Sequence, residues 1–173
     1  MDNDLLLRIE NVVSGSGVLL GDDVRVRSDN WPPLGGCPAR AIIRPRTTNE
    51  LAEVVRMCHA AGQSIVTHGG LTGLVGGARA SSDDIVISLE FMNHIDEVDT
   101  QNRTVTVEAG VPLQAVHETA EKAGLLFPLD LGARGSCTIG GNISPNAGGN
   151  SVIRYGMMRE QLLGIEAVLA DGT

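Results

Sequence analysis

The ten residues from His68 to Gly77, His-Gly-Gly-Leu-Thr-Gly-Leu-Val-Gly-Gly, contain five glycines and directly follow the short apolar run Ser64-Ile65-Val66-Thr67. Glycine lets a backbone take positive φ repeatedly and approach a ligand closely. Successive N–H groups turned inward make an anion-binding concavity suited to a pyrophosphate. Two familiar phosphate loops are excluded. There is no GKS or GKT, and no GxGxxG opening a helix, because a further strand, Asp84 to Leu89, comes next. A plain flexible connector would carry Ser, Asp and Lys. Leu71, Leu74 and Val75 instead predict a loop packed on both sides.

A second block, from Pro128 to Asn150, is longer: PLDLGARGSCTIGGNISPNAGGN. Loops beyond about 15 residues without their own secondary structure are uncommon and usually functional or disordered. This one has few charges and many small residues, which predicts order around something large. Ser136, Thr138, Asn142, Ser144 and Asn146 supply the short hydrogen-bonding groups that a polar cofactor uses. Two such blocks in one chain point to a nucleotide-sized ligand.

The segments around the blocks alternate in type. Leu5, Ile9, Val12 and Val13 fall at helical spacing behind Asp2 and Asp4, and Ser14-Gly15-Ser16-Gly17 ends that helix. Asp22 to Pro38, with two prolines after Trp31, reads as a surface loop. Ala41-Ile42-Ile43 reads as a buried strand. Thr47 and Glu50 fit a capping box, opening a helix with an apolar face of Leu51, Val54, Val55, Cys58 and Ala61, closed by Gly62. Thr104 to Glu108 alternates as a strand. Pro112 opens a helix on Leu113, Val116, Ala120 and Ala123 that stops at Gly124. Gly164 to Leu169 reads as a last strand. The order is α+β rather than strict βαβ alternation.

At 173 residues the chain is long enough for one compact domain or two small lobes, and at this size no metal or disulfide is needed for stability. A formal charge of −8 and an aromatic content of 2% (Trp31, Tyr155, Phe91, Phe127) argue against nucleic-acid binding, which needs basic surface and stacking platforms. The acidity does not exclude an anion site made locally by backbone N–H groups. Cys37, Cys58 and Cys137 are odd in number and widely spaced, which predicts reduced, buried thiols. With no leader-like start and no apolar run of about 18 residues, the expectation is a cytoplasmic protein without a transmembrane segment.

Taken together, HGGLTGLVGG, PLDLGARGSCTIGGNISPNAGG and the closing GIEAVLADGT, led in by IIRPRTTNELAEVV, resemble the PCMH-type FAD-binding N-terminal domain of the vanillyl-alcohol oxidase superfamily. Within it they most resemble the D-2-hydroxyacid dehydrogenase branch, which includes D-lactate and D-2-hydroxyglutarate dehydrogenases and the glycolate oxidase D subunit. The likeness runs from about Ala39 to Thr173. It implies an N-terminal helix and lead-in over 1–38 and an FAD-binding domain over 39–173. That domain would have a small α/β lobe at about 39–110 and the start of a second mixed lobe from about 111, C-terminally incomplete.

The resemblance implies that the first loop holds the FAD pyrophosphate, with Gly69, Gly70, Thr72, Gly73, Gly76 and Gly77 around it and His68 and Leu71 beside them. The second block would line the ribityl chain and flavin through Pro128, Asp130, Gly135, Ser136, Ile139, Gly140, Asn146, Gly148 and Gly149. Ile165 would lie near the adenine end. Members that attach flavin covalently often place a histidine just after the glycine pair; Leu71 stands there, implying non-covalent FAD. His68 precedes the pair, where close relatives do not usually carry His, and Ser144-Pro145 departs from a more common Thr.

Relatives of this kind continue past the DGT with further strands and a substrate-binding lobe, so the catalytic residues are expected beyond residue 173. The activity implied is oxidation of a D-2-hydroxyacid such as D-lactate, D-2-hydroxyglutarate or glycolate by hydride transfer to flavin, with a separate electron acceptor and a possible homodimer. Two other readings remain: a flavin-binding module inactive without a partner or further lobe, and another oxidase or reductase of the superfamily. His59 and His117 are expected to be packing or surface residues, His94 to sit in a turn, and Arg134 to face either a phosphate or solvent. No metal-ligand spacing is present.

Overall fold

The computed structural model describes residues 3–13, 15–31 and 35–173, so Asp2, Ser14 and the prolines at 32 and 33 lie outside the described residues. The chain divides into two compact units: Met1–Phe91 together with Glu166–Thr173, and Met92–Ile165. These limits differ from the expected lobes. The opening helix packs into the first unit, and the change of unit falls at 91, within the stretch expected as the first lobe of about 39–110.

In the first unit, helix α1 (Asn3–Val12) buries Leu5 and Ile9, with Val13 just past its end, against α3 (Thr48–Ala60). Thr47 caps α3 in an extended conformation, its hydroxyl accepting from Glu50 N–H at 3.1 Å. The Glu50 carboxylate accepts from Arg46 N–H at 2.8 Å, one residue earlier than a capping box would reach. Val54, Val55 and Cys58 form the buried face of α3, whereas Ala61 is exposed. The expected loop between 22 and 38 contains a short helix, α2 (Asp22–Arg25).

The sheet of this unit combines β1 (Val18–Leu19), β2 (Ala41–Ile43), β3 (Ile65–His68) and β4 (Ile85–Ser88) in the order β1-β2-β4-β3. β2, β4 and β3 run parallel, and β1 is antiparallel to β2. All four residues of β4 are buried, as a central parallel strand covered on both faces requires. Its alternation sorts the cores: Ile85 and Ile87 join Ala41, Ile43, α1 and α3 on one face, while Val86 joins Ile42, Val24 and Cys37 on the other.

The segment after residue 165 returns to the first unit. Thr48 Oγ1 donates to Glu166 at 3.0 Å, Arg56 Nη2 donates to the Gly172 carbonyl at 3.2 Å, and Val168 packs on the α1–α3 core. The expected strand at Gly164 to Leu169 does not form. A strand needs a ladder partner, and here none of the described strands pairs with it; Leu169 bonds only within the closing turn, to Thr173 and Gly172, and Ile165 and Leu169 are exposed.

The second unit begins with an antiparallel pair, β5 (Ile95–Asp99) and β6 (Thr104–Val107), with a register irregularity between Ile95 and Val98. The Asp99 carboxylate accepts the N–H groups of Gln101 and Asn102, each at 2.9 Å, to tighten the turn. Helix α4 (Leu113–Lys122) buries Leu113, Val116 and Ala120. They pack with Val111, Leu129, Cys137, Ile139 and Met158. The block from Pro128 to Asn150, read as one long loop, holds α5 (Ile139–Ile143); α6 (Val152–Tyr155) and a 3-10 turn at Met158–Gln161 follow it. Among the described residues no helix is long and apolar enough to cross a membrane.

Candidate FAD-binding segments

The first glycine-rich segment leaves β3 at His68 and rejoins the sheet at Ile85. Its glycines answer a different need from the one composition suggests. Among those with described backbone, only Gly76 (φ +74) is left-handed; Leu71 (φ +55) takes that region despite its side chain. At Gly73 and Gly77, which have ordinary φ, an added Cβ would meet nothing within 4 Å. Among the described residues neither the backbone nor a neighbouring side chain requires glycine there, which leaves the space over both positions open. The expectation of a loop packed on both sides fails for the same reason: Leu74 is 78% exposed and Val75 93%.

Among the described residues no backbone N–H between Gly70 and Gly77 donates to another group of the chain; Arg79 N–H, to the Gly76 carbonyl at 3.1 Å, is the first to do so. A run of unused donors in an ordered loop is what a pyrophosphate oxyanion requires. The Arg79 side chain runs beside Gly76, where its Cδ would lie 3.5 Å from an added Cβ. It places a cation at the loop that the glycine pattern alone did not single out.

His68 is 3% exposed, and its Nε2–H donates to the Ala78 carbonyl at 2.8 Å, across the loop. Burial holds its pKa below the ordinary 6.5, with Asp29 acting in the opposite sense and Arg27 in the same sense. Asp29, also buried, accepts from Ala80 N–H at 3.3 Å. Arg27 is paired with Glu90, which Arg44 also reaches at 3.3 Å.

In the second unit, Asp130 closes the second block on itself. Its carbonyl accepts from Asn150 N–H at 2.9 Å, and its carboxylate accepts from Asn150 Nδ2 at 3.1 Å. Gly149 (φ +87) passes directly over that carbonyl. Ile139 and Gly140 are committed inside the chain: their N–H groups donate to Val111 and Ala109 carbonyls at 2.9 and 2.8 Å. A Cβ at 140 would lie 2.8 Å from that of Ala109, so glycine there serves internal packing. Gly135 and Ser136 are exposed, and a Cβ at Gly135 would meet open space. Asn146 takes φ +53 and its side-chain oxygen accepts from Arg159 N–H at 2.9 Å. Pro128 and Asp130 line a cleft of about 270 Å³ with His117, Phe127, Arg134 and Tyr155.

In this block Thr138 Oγ1, on a residue 8% exposed, has no partner among the described residues, while the side chain of Asn142, 3% exposed, lies against the Cys137 thiol and opposes the rise that burial gives that thiol's pKa. Thr138 is the N-cap residue of α5, yet its hydroxyl does not cap. Buried orphans of this kind are rare in settled structures and mark places where a further group completes the bonding. Both were visible in the sequence only as two among several short polar residues.

The other singled-out residues have structural roles. His117 Nε2–H donates to the Leu129 carbonyl at 2.7 Å, His59 is exposed near the end of α3, and His94 lies 3.2 Å from Asp96. Arg134 is exposed and 3.7 Å from Asp130. Cys37, Cys58 and Cys137 are buried free thiols. Among the described residues no three His, Cys, Asp or Glu side chains gather as a metal site.

Unbonded N–H groups and open space at Gly73 and Gly77 in the first segment, and the orphaned Thr138 hydroxyl in the second, each suit a large polar anion such as FAD. Residues 39–173 match the family described as FAD binding domain. The chain belongs to that family. The mitochondrial D-2-hydroxyglutarate dehydrogenase of Bos taurus is 38% identical to this FAD binding domain over 173 residues, all of this chain and 32% of the bovine protein. The D-2-hydroxyglutarate dehydrogenase of Xanthomonas citri pv. viticola is 48% identical over 132 residues, 76% of this chain and 28% of the relative. The FAD binding domain thus spans about a third of the length of these relatives.

Among solved structures, an alkyldihydroxyacetonephosphate synthase matches with a TM-score of 0.83 at 16% identity, over 94% of this chain and 32% of that one, a likeness of fold alone. The α+β, PCMH-type fold, FAD as the cofactor, and the likeness to the D-2-hydroxyacid dehydrogenase branch are therefore borne out.

Proposed function

We propose that residues 39–173 bind FAD non-covalently as part of an oxidoreductase acting on the CH–OH group of a D-2-hydroxyacid. The observation that carries the reading is the loop from Gly70 to Gly77, whose N–H groups are unused and whose Gly73 and Gly77 face open space. Bound FAD would supply the hydride acceptor. The chain's own residues would bind and orient it. Gly69, Gly70, Thr72, Gly73, Gly76 and Gly77 hold the pyrophosphate by backbone donors, with Arg79 adding charge. Pro128, Asp130, Gly135, Ser136, Asn146 and Gly148 line the ribityl and flavin portion. Ile139, Gly140 and Gly149 shape that segment from inside, and Ile165 lies toward the adenine end.

Non-covalent attachment is supported by two features. Leu71, after the glycine pair, offers no nucleophile, and His68 Nε2 is already engaged with the Ala78 carbonyl. A D-2-hydroxyacid substrate is supported by the likeness to the bovine and bacterial D-2-hydroxyglutarate dehydrogenases. The test is the visible absorbance of the purified protein before and after adding FAD, followed by heat release of the chromophore. Yellow protein that releases intact FAD supports the reading. Protein that stays colourless with FAD in excess removes it. Bleaching of the bound chromophore by D-2-hydroxyglutarate or D-lactate, but not by the L-acids, would support the substrate class.

A further inference from the structure

We infer that His68 is a positioning residue for the phosphate-binding loop: its buried imidazole ties the loop shut at Ala78, so that the N–H groups between the two residues are presented to the cofactor already in place. The inference rests on the proposed role of this loop in holding FAD. The resemblance places His68 beside the pyrophosphate-binding glycines; the tie to Ala78 gives it a distinct task, that of shaping the loop.

The geometry is that of a staple. Nε2 is 2.8 Å from the Ala78 oxygen, ten residues along the chain, and the ring is buried at the end of β3. A carbonyl can only accept, so Nε2 carries the proton. Two residues further on, Asp29 accepts the Ala80 N–H, a second tie on the same side of the loop. Between His68 and Ala78 no described group of the chain uses the N–H groups from Gly70 to Gly77. A glycine-rich loop without such ties would have to be ordered on each binding event, and that ordering cost would be subtracted from the affinity.

The charged groups acting on His68 are Asp29, which favours the imidazolium, and Arg27, which opposes it and is itself paired with Glu90. Burial is the strongest influence and holds the pKa below the ordinary 6.5. The open or unfolded loop therefore takes up a proton before the closed one does. The closed form loses stability as pH falls through and below 6.5, and keeps it fully above that value.

Two substitutions separate the donor from the bulk: His68→Gln, whose amide can reach the same carbonyl, and His68→Leu, which fills the space without a donor. FAD affinity is read by fluorescence quenching between about pH 8 and about pH 5, across the usual histidine range. Amide exchange of residues 69–80 is followed in the FAD-free protein. The Leu variant is expected to bind FAD about tenfold more weakly, the effect of leaving a half-buried carbonyl without its donor and the loop untied. The Gln variant should stay close to wild type. Wild-type affinity should weaken below pH 6.5, and that dependence should vanish in the Gln variant.

Equal affinity in all three proteins, equal loss in both variants, or a pH dependence that survives in the Gln variant would each overturn the inference. If the Leu variant does not fold, the Gln variant and the wild-type pH series decide. If the wild type takes up no FAD, the cofactor reading fails by itself. Amide exchange still tests the staple in that case, since loss of the donor must speed exchange at Arg79 and Ala80, the loop residues whose N–H groups are bonded.

Discussion

The backbone of Gly149 lies so close to the carbonyl of Asp130 that a Cβ at 149 would come within 2.1 Å of that oxygen. The same carbonyl accepts the Asn150 N–H, so close approach and hydrogen bond form one latch that shuts the second glycine-rich block. Gly149→Ala should therefore destabilise the second unit by about 2–4 kcal/mol, combining overlap with a left-handed φ of +87. Thermal unfolding of the FAD-free protein measures this. An unchanged midpoint would show that the latch gives way freely.

Gly73→Ala and Gly77→Ala make the opposite case. Both positions have ordinary φ and open space where the methyl would go. Folding should be unaffected or improved by up to about 1 kcal/mol through the unfolded state. FAD affinity should nonetheless fall, because the methyl would stand where the phosphate approaches the backbone. Variants that keep both stability and affinity would leave these glycines without an explanation.

For Thr138, the orphaned hydroxyl predicts a split between the free and loaded protein. Thr138→Val removes a buried group that lacks a partner, so the FAD-free protein should be as stable as wild type or more so by about 1 kcal/mol. If the cofactor completes this hydrogen bond, the rise in melting temperature on adding FAD should shrink in the variant. A marked loss of stability without FAD would mean that the hydroxyl already has a partner.

The thiols give a pH prediction. Burial pushes Cys58 up to about 11 and raises Cys37 and Cys137. Thiol reagents at about pH 8 should label none of them in the native protein, and all three after denaturation. The unfolded chain loses the Cys58 proton first, so stability should decline as pH rises from 9.0 toward 11. Rapid native labelling would show that the cores around these residues open readily.

The local parts of the fold were legible because local chemistry decides them. Thr47 with Glu50, and the spacing of Val54, Val55 and Cys58, mark α3 almost to its ends. β5 was missed because Asp96 and Glu97 interrupt its apolar run at the register irregularity that follows Ile95. The pairing of Ile42 with Val86 joins residues 44 apart, and periodicity carries no such information. The candidate site divides in the same way. The glycine blocks announce themselves, but Asp29 at the first loop comes from a distant segment, and the Asp130–Asn150 closure spans the second block. Gly140 and Gly149, read as cofactor contacts, are shaped by neighbours in their own chain. A glycine pattern cannot separate approach to a ligand from approach to itself.

Residues 166–173 lie along α3 in the first unit, although the whole second unit intervenes in sequence. During synthesis the second unit is therefore fully exported from the ribosome before the last side of α3 is covered. The unit that begins first is finished last. Until then α3 presents Ala52 and Arg56, the later contacts of Gly172, to whatever is nearby. The nascent chain thus has an interval in which its earliest helices are made but not enclosed, and that interval lasts as long as the synthesis of the whole intervening second unit.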